Sequence, residues 1–250
     1  MRFHAPRIHV VLKKEDIAAD VVAGRIAIVL DVMFATSTIV AALAAGAREV
    51  VPAVDPVEAR LFGASREAGS YVLAGESNLD LIPGFAPPYP RAIAAHGIAG
   101  RSLIYSTTNG TVALRACEPA ERVYAAALLN APATAAHVAA RHPDRDWVIV
   151  CAGSRSNANM EDLYGAGCLV DAFARVRPGR WDLSDNATAA RTIFRACEPL
   201  ACLRESRLGR IVADLGQEAE IDFSARVGSI DLVCPMQDGS VRSARAGGTT

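Results

Sequence analysis

One stretch, RIAIVLDVMFATSTIVAALAAGA from Arg25 to Ala47, limits the possible folds of this chain more than any other. Ile26 to Leu30 is a short apolar run rich in branched residues, the pattern of a strand buried on both faces. It stops at Asp31. A few residues later, Ile39, Leu43 and the alanines between them are good helix material, and Gly46 suits a helix C-terminus. Thr36, Ser37 and Thr38 fall at the junction, where hydroxyls can cap free amides. In open α/β sheets the carboxyl end of a buried strand borders the ligand crevice. A plainer reading makes Asp31 a turn residue and the hydroxyls simple caps.

The same alternation continues along the chain. Arg7–Leu12 reads as an opening strand, followed by Lys-Lys-Glu-Asp as a solvated turn. Glu49–Val54, Tyr71–Ala74, Arg101–Ser106, Arg122–Ala127 and Trp147–Val150 read as further strands. Helices are expected from Asp55-Pro56 to about Gly69, after Thr107–Thr111 to about Ala116, from Pro132 to about Arg141 and from about Met160 to Val176. Residues beyond that read as helical through about Leu215, with short strands at Glu220–Phe223 and Ile230–Val233. Strands alternating with helices at this spacing predict an α/β fold, a mostly parallel sheet with helices on both faces. We expect one compact domain over residues 1–238, with two tightly packed halves as the variant, and a flexible Gly/Ser/Arg-rich tail over 239–250.

Composition narrows the class. Over 250 residues the charges nearly cancel, to a formal −1, which gives no electrostatic footprint for nucleic acid or an anionic membrane. No apolar run reaches membrane-spanning length, and the residues at the N-terminus are not expected to act as a secretion signal. The six cysteines form no CxxC pair, so reduced thiols and a cytoplasmic location are expected.

Polar residues gather after the predicted strands: Asp31, Glu76 in GESN, Thr107–Thr111 (TTNGT), Asn130, and the run from Cys151 to Asp162. Parallel strands would bring them to one sheet edge as an oxygen-rich pocket. Asp31, Glu76, Glu161 and Asp162 are hard oxygen donors of the kind Mg²⁺ favours. The TTNGT turn offers amides and hydroxyls to an anion. A P-loop, a Rossmann fingerprint and a GxSxG elbow are all absent from the sequence. The five histidines are scattered, and none falls at a strand end. Met33 stands where a haloacid-dehalogenase-type phosphatase places its second aspartate, which disfavours that family.

Taken together, DVMFATSTIVAALAAGA, the GE of GESN, IPGF, TTNGT, LLNA at Leu128–Ala131, CAGS followed by ED, and SRLGRIVADLGQEAEIDFSARV resemble 2-phosphosulfolactate phosphatase. The pieces run in order from residue 28 to about residue 235. The resemblance implies an α/β fold of the family's own and a Mg²⁺-dependent phosphatase that converts 2-phosphosulfolactate and water to sulfolactate and phosphate, on a route to coenzyme M. It implies catalytic roles for Asp31, Glu76, Asn109, Glu161 and Asp162, with Asp31, Glu76 and Glu161 holding Mg²⁺. Ser37, Thr107, Thr108, Gly110, Asn130, Cys151, Gly153 and Arg155 would bind the small phosphoester. A homo-oligomer is left open. The chain departs from the family pattern at Phe34 and Ser77, where arginines are usual, and in GFAPPYP, where Ala86 replaces an acid. Two readings follow: a phosphomonoester hydrolase with an altered or broader substrate, or a non-catalytic paralogue that binds a less charged metabolite.

Overall fold

In the computed structural model, which describes residues 5–179 and 181–244, the strand Ile26–Leu30 is buried along its whole length. Ile26, Ile28 and Leu30 point into one apolar core, and Ala27 and Val29 into another. That alternation is why the run reads as continuously apolar. In chain order the elements are β1 (Arg7–Val11), α1 (Ala19–Val22), β2 (Ile26–Leu30), α2 (Ala35–Ala44), β3 (Glu49–Ala53), α3 (Pro56–Ala64), β4 (Tyr71–Ser77) and β5 (Asp80–Leu81). Next come α4 (Pro90–Ala94), β6 (Ser102–Ser106), α5 (Gly110–Ala116), β7 (Arg122–Ala126), α6 (Ala131–Arg141), β8 (Trp147–Cys151) and α7 (Met160–Val176). The chain continues through β9 (Asp182–Leu183), α8 (Asp185–Ala196), α9 (Pro199–Glu205), α10 (Arg207–Asp214), α11 (Glu218–Ser224), β10 (Cys234–Gln237) and β11 (Ser240–Val241).

The strands form one sheet in the order β5-β4-β6-β3-β11-β10-β7-β2-β8-β1-β9. It contains two parallel blocks. β7, β2, β8, β1 and β9 make the first, and β3, β6 and β4 the second. Between them sits the hairpin β10–β11, antiparallel to β7 on one side and to β3 on the other. Asp238 and Gly239 turn this hairpin with φ of 51° and 74°, the left-handed pair that a two-residue hairpin loop requires. The mostly parallel α/β architecture is therefore as expected, with an antiparallel insert at its middle. α2, buried from Ala35 to Leu43, packs against β2, β7 and β3 and so touches both blocks.

Several local expectations are corrected. Glu220–Phe223 is not a strand but part of α11, where Glu220, Ile221 and Ser224 are buried at helical spacing. A four-residue apolar/polar alternation cannot separate the two periods. Ile230–Val233 forms no strand beyond a single bridge from Val233 to Ala244, and pairing begins instead at Cys234. The expected tail starts too early, because Ser240–Val241 is a buried strand inside the sheet; residues 245–250 lie outside the described ones. α3 ends at Ala64, short of Gly69. Its start is as expected, with Pro56 in the first turn and the Asp55 carboxylate accepting the Glu58 amide at 2.8 Å. Among the described residues no helix is long and apolar enough to cross a membrane.

Candidate active site

Asp31 follows β2 directly and is buried in the first turn leading to α2. The Thr36 hydroxyl closes that turn, accepting the Asp31 amide at 3.0 Å and donating to the Asp31 carbonyl at 2.9 Å. The carboxylate is thereby left to face inward. Burial, with Glu76 and Glu161 nearby, pushes its pKa up to about 7, against the pull of the Ala35 and Gly110 amides. Gly110 approaches it so closely that a Cβ there would lie 2.6 Å from Asp31 Oδ2 and 2.4 Å from the Ala35 Cβ. The start of α5, in the second block, is thus pressed onto the end of β2, in the first. The polar strand ends meet where the two blocks come together, not along one edge of a uniform sheet.

Glu76, at the end of β4, belongs to the second block. Its carboxylate accepts the Thr108 amide at 2.7 Å, the Thr108 hydroxyl at 3.0 Å and the Leu79 amide at 2.7 Å. The TTNGT loop also closes on itself, with the Thr107 amide donating to the Thr111 hydroxyl at 2.9 Å and the Thr111 amide to the Thr107 hydroxyl at 3.2 Å. The amides of Thr107 and Thr108, expected as an open anion cradle, are therefore already occupied. Glu76 sits on the donors that the sequence reading gave to a phosphate.

Two cations missed in the sequence supply the positive charge instead. Lys14, in a short 3-10 turn after β1, donates to Asn109 Oδ1 at 2.9 Å and pairs with Glu15 at 2.8 Å. Its side chain is only 17% exposed, so Lys-Lys-Glu-Asp is not a fully solvated turn. Arg207, the first residue of α10, donates to the Ser154 hydroxyl, which itself donates to Asn159 Oδ1 at 2.8 Å. Lys14 obeys the strand-end rule, since β1 lies beside β8 in the first block. The SRLGR segment carried the family resemblance but gave no hint that its arginine enters the site.

These groups line a cavity of about 200 Å³. Of the expected residues, Asp31, Glu76, Thr107, Thr108, Asn109 and Arg155 line it. Glu161 and Asp162 lie buried in the first turn of α7. They differ sharply. Asp162 accepts the Val32 amide at 2.9 Å and the Gly153 amide at 3.1 Å, tying the loop after β8 to the turn after β2. Glu161 has one buried oxygen, Oε1, with no hydrogen-bond partner. Burial raises the pKa of both, and for Asp162 the neighbouring Asp31 and Glu161 raise it further.

Five expected binding residues, Ser37, Gly110, Asn130, Cys151 and Gly153, are not in the cavity wall. Ser37 donates to the Val32 carbonyl at 2.8 Å inside α2. Asn130 is wholly buried, accepting the Ala127 amide at 2.9 Å and donating to the Leu232 carbonyl at 3.1 Å. Cys151 is a buried thiol whose pKa burial pushes far up, the state of an inert core cysteine. Gly153 contributes only its amide, to Asp162. In each case a polar group near a strand end satisfies local backbone or core and never reaches the ligand space. Gly110 likewise acts through its closeness to Asp31.

The expected three-carboxylate metal site is not assembled. Among the described residues no three His, Cys, Asp or Glu side chains come together to hold a metal ion. Glu76 is withdrawn onto Thr108 and Leu79. Asp31 and Glu161 remain, close enough that Glu161 raises the Asp31 pKa, and Glu161 Oε1 lacks a partner. A pair of this kind fits Mg²⁺, which is commonly held by one or two carboxylates together with water and substrate phosphate.

Comparison with known proteins decides the family. Residues 11–239 match the profile of 2-phosphosulpholactate phosphatase. The chain belongs to the 2-phosphosulpholactate phosphatase family. It is 35% identical over 227 residues to a Symbiobacterium thermophilum protein named "Probable 2-phosphosulfolactate phosphatase", covering 89% of this chain and 96% of the relative. A Caldicellulosiruptor saccharolyticus protein of the same name is 32% identical over 230 residues, covering 90% and 94%. A third, from Deinococcus radiodurans, is 35% identical over 212 residues, covering 83% and 86%. The chain is accordingly a member of a phosphatase family, whose named reaction is that of a phosphoric monoester hydrolase.

Proposed function

We propose that this member of the 2-phosphosulpholactate phosphatase family hydrolyses a small phosphomonoester with the help of Mg²⁺. The observation that carries this is a pocket where the buried Asp31 adjoins two cations, Lys14 and Arg207, with the buried Glu161 close to both Asp31 and Arg207. Hydrolysis adds water across the ester: a new bond forms from water oxygen to phosphorus, the phosphorus–ester oxygen bond breaks, and the alcohol leaves with a proton. The transferring phosphoryl group is mostly stabilised by positioning and charge, not by covalent chemistry with the protein. Lys14, steadied by Asn109, and Arg207, steadied by Ser154, would hold the phosphate oxygens and neutralise them by charge-assisted hydrogen bonds. Asp31 and Glu161 would hold Mg²⁺, which polarises phosphoryl oxygens when bound.

Phe34 and Ser77 do not leave the pocket without positive charge, because Lys14 and Arg207 line it. This favours an enzyme over a paralogue that only binds. The test is release of inorganic phosphate from a set of phosphorylated 2-hydroxy acids, 2-phosphosulfolactate included, with Mg²⁺ or with EDTA. We expect release that EDTA stops and Mg²⁺ restores. Release that persists in EDTA would remove the metal from the mechanism, and no release from any member of the set would remove the phosphatase.

A further inference from the structure

The cavity has two unlike walls. Lys14, Asn109, Ser154 and Arg207 form a polar one. The other is made by Met33, Phe34 and Tyr89 with Leu208, Val212 and Leu215 from α10 and its C-terminal end. Phe34 and Tyr89 meet edge to face, with ring centroids 5.3 Å apart and planes at 87°, so the aromatic part of this wall is braced by its own packing. Leu208, Val212 and Leu215 recur at helical spacing after Arg207. One short segment thus presents a guanidinium to the polar wall and aliphatic side chains to the other.

The charges lining the cavity nearly cancel. Lys14, Arg155 and Arg207 face Glu15, Asp31 and Glu76. Lys14 is already paired with Glu15, and Arg207 is tethered by Ser154 next to the acid pair. Such a lining can balance a phosphate aided by a divalent cation. It holds little surplus for a ligand that brings a phosphate, a carboxylate and a permanently ionised sulfonate together. A sulfonate set against Met33, Phe34 and Leu208 would lose its water without gaining a cation.

We propose that the substrate of this pocket is a phosphomonoester whose organic part is aromatic or branched apolar, with at most one carboxylate beyond the phosphate. This rests on the phosphatase reading above and narrows it. The phosphate lies against Lys14 and Arg207, and the apolar part lies on Phe34, Tyr89 and the α10 aliphatics. Phe34 is then a specificity-determining residue.

Two esters that differ only in the tail make the test: 2-phospho-3-phenyllactate and 2-phosphosulfolactate, which share the phosphate and the carboxylate. Their kcat/KM values are compared with Mg²⁺ for the wild type, for Phe34→Arg and for Leu215→Arg. Leu215 is 53% exposed, so the second variant adds a cation at the rim without entering the core if Phe34→Arg fails to fold. We expect the wild type to favour the phenyl ester at least tenfold, and either variant to shrink that ratio severalfold. A wild type that turns over the sulfonate ester equally well or better overturns the proposal. So does hydrolysis of neither ester by a protein that still releases phosphate from phosphoglycolate, which has no apolar part, an outcome that leaves the phosphatase reading standing. Release from none of the three esters overturns both.

Discussion

Buried acids in this protein come in two kinds, and α7 carries both. Near its start, Glu161 and Asp162 lie buried beside Asp31 with no arginine bonded to them, and burial pushes all three pKa values up. Further along the same helix, Asp171 is equally buried but accepts from Arg191 at 3.1 Å and Arg195 at 2.7 Å, with Arg175 alongside, and its pKa is driven down. Glu49, at the start of β3, is the second acid of that kind. It is ringed by Arg66 at 2.9 Å, Arg242 at 3.0 Å and the Ser102 hydroxyl at 3.0 Å, and its pKa is pushed down to about 2. Degree of burial does not separate the two groups. At Asp171 and Glu49 the chain itself provides the opposite charge. At Asp31, which lines the cavity, that charge is left to come from a ligand.

The strongest way to break this comparison is to neutralise Asp31. Asp31→Asn should lower kcat/KM for phosphate release by about 10³-fold or more, the scale expected when a charge at a phosphoryl-transfer centre is removed. Its melting temperature should stay level or rise, because a neutral amide no longer carries the penalty of a buried charge. Wild-type turnover in that variant would place Asp31 with Asp171 and Glu49 as a structural acid.

The neighbours Glu161 and Asp162 sharpen the contrast within one turn of helix. Asp162→Ala leaves the Val32 and Gly153 amides unpaired in the interior, at about 1–3 kcal/mol each, so urea denaturation should show a loss of roughly 2–6 kcal/mol. Glu161→Gln removes no bond to Oε1 and should leave stability within about 0.5 kcal/mol while reducing phosphate release at least about tenfold. If the two variants were equally destabilised, the division between a bonded and an open acid would not hold.

Much of this was legible in the residues, and the parts that were not have a physical reason. β2 and β8 announce themselves as apolar runs because both faces of each strand are covered. Asp31 could be found because the carboxyl end of such a strand borders ligand space. Lys14 could have been found by the same rule, but a Lys-Lys-Glu-Asp cluster looks solvated unless one knows that Asn109 comes within reach. Arg207 enters from the start of a helix, and only the packing of α10 puts it near Ser154. Ser37 and Asn130 misled for the converse reason. Hydroxyls and amides beside a strand end are as apt to bond local backbone as a ligand, and composition does not distinguish the two. The hairpin β10–β11 was hidden as well, since Val241 pairs with Val50 from the far end of the chain. No local pattern encodes that the two parallel blocks are joined through an antiparallel insert.

The smallest effect is expected from acid, acting on the structural kind of carboxylate. Glu49 has a folded-state pKa of about 2 against an ordinary value of 4.5, so its contribution to stability is fully present above pH 4.5 and is lost as pH falls toward 2. Arg66 and Arg242 are 26% and 63% exposed at the side chain, so solvent screens the pairing, and the contribution is on the order of 1–3 kcal/mol. Other acids titrate over the same range in any variant, which makes a difference measurement necessary. Urea denaturation of the wild type and of Glu49→Gln at a series of pH values isolates the one group. The wild type should be the more stable at pH 6, the gap should shrink by roughly half near pH 3, and it should be nearly gone at about pH 2. A gap that stayed constant from pH 6 to 3 would mean that Glu49 is stabilised by packing and not by its ionised pairing with Arg66 and Arg242. The contrast with Asp31 would then rest on the cavity acids alone.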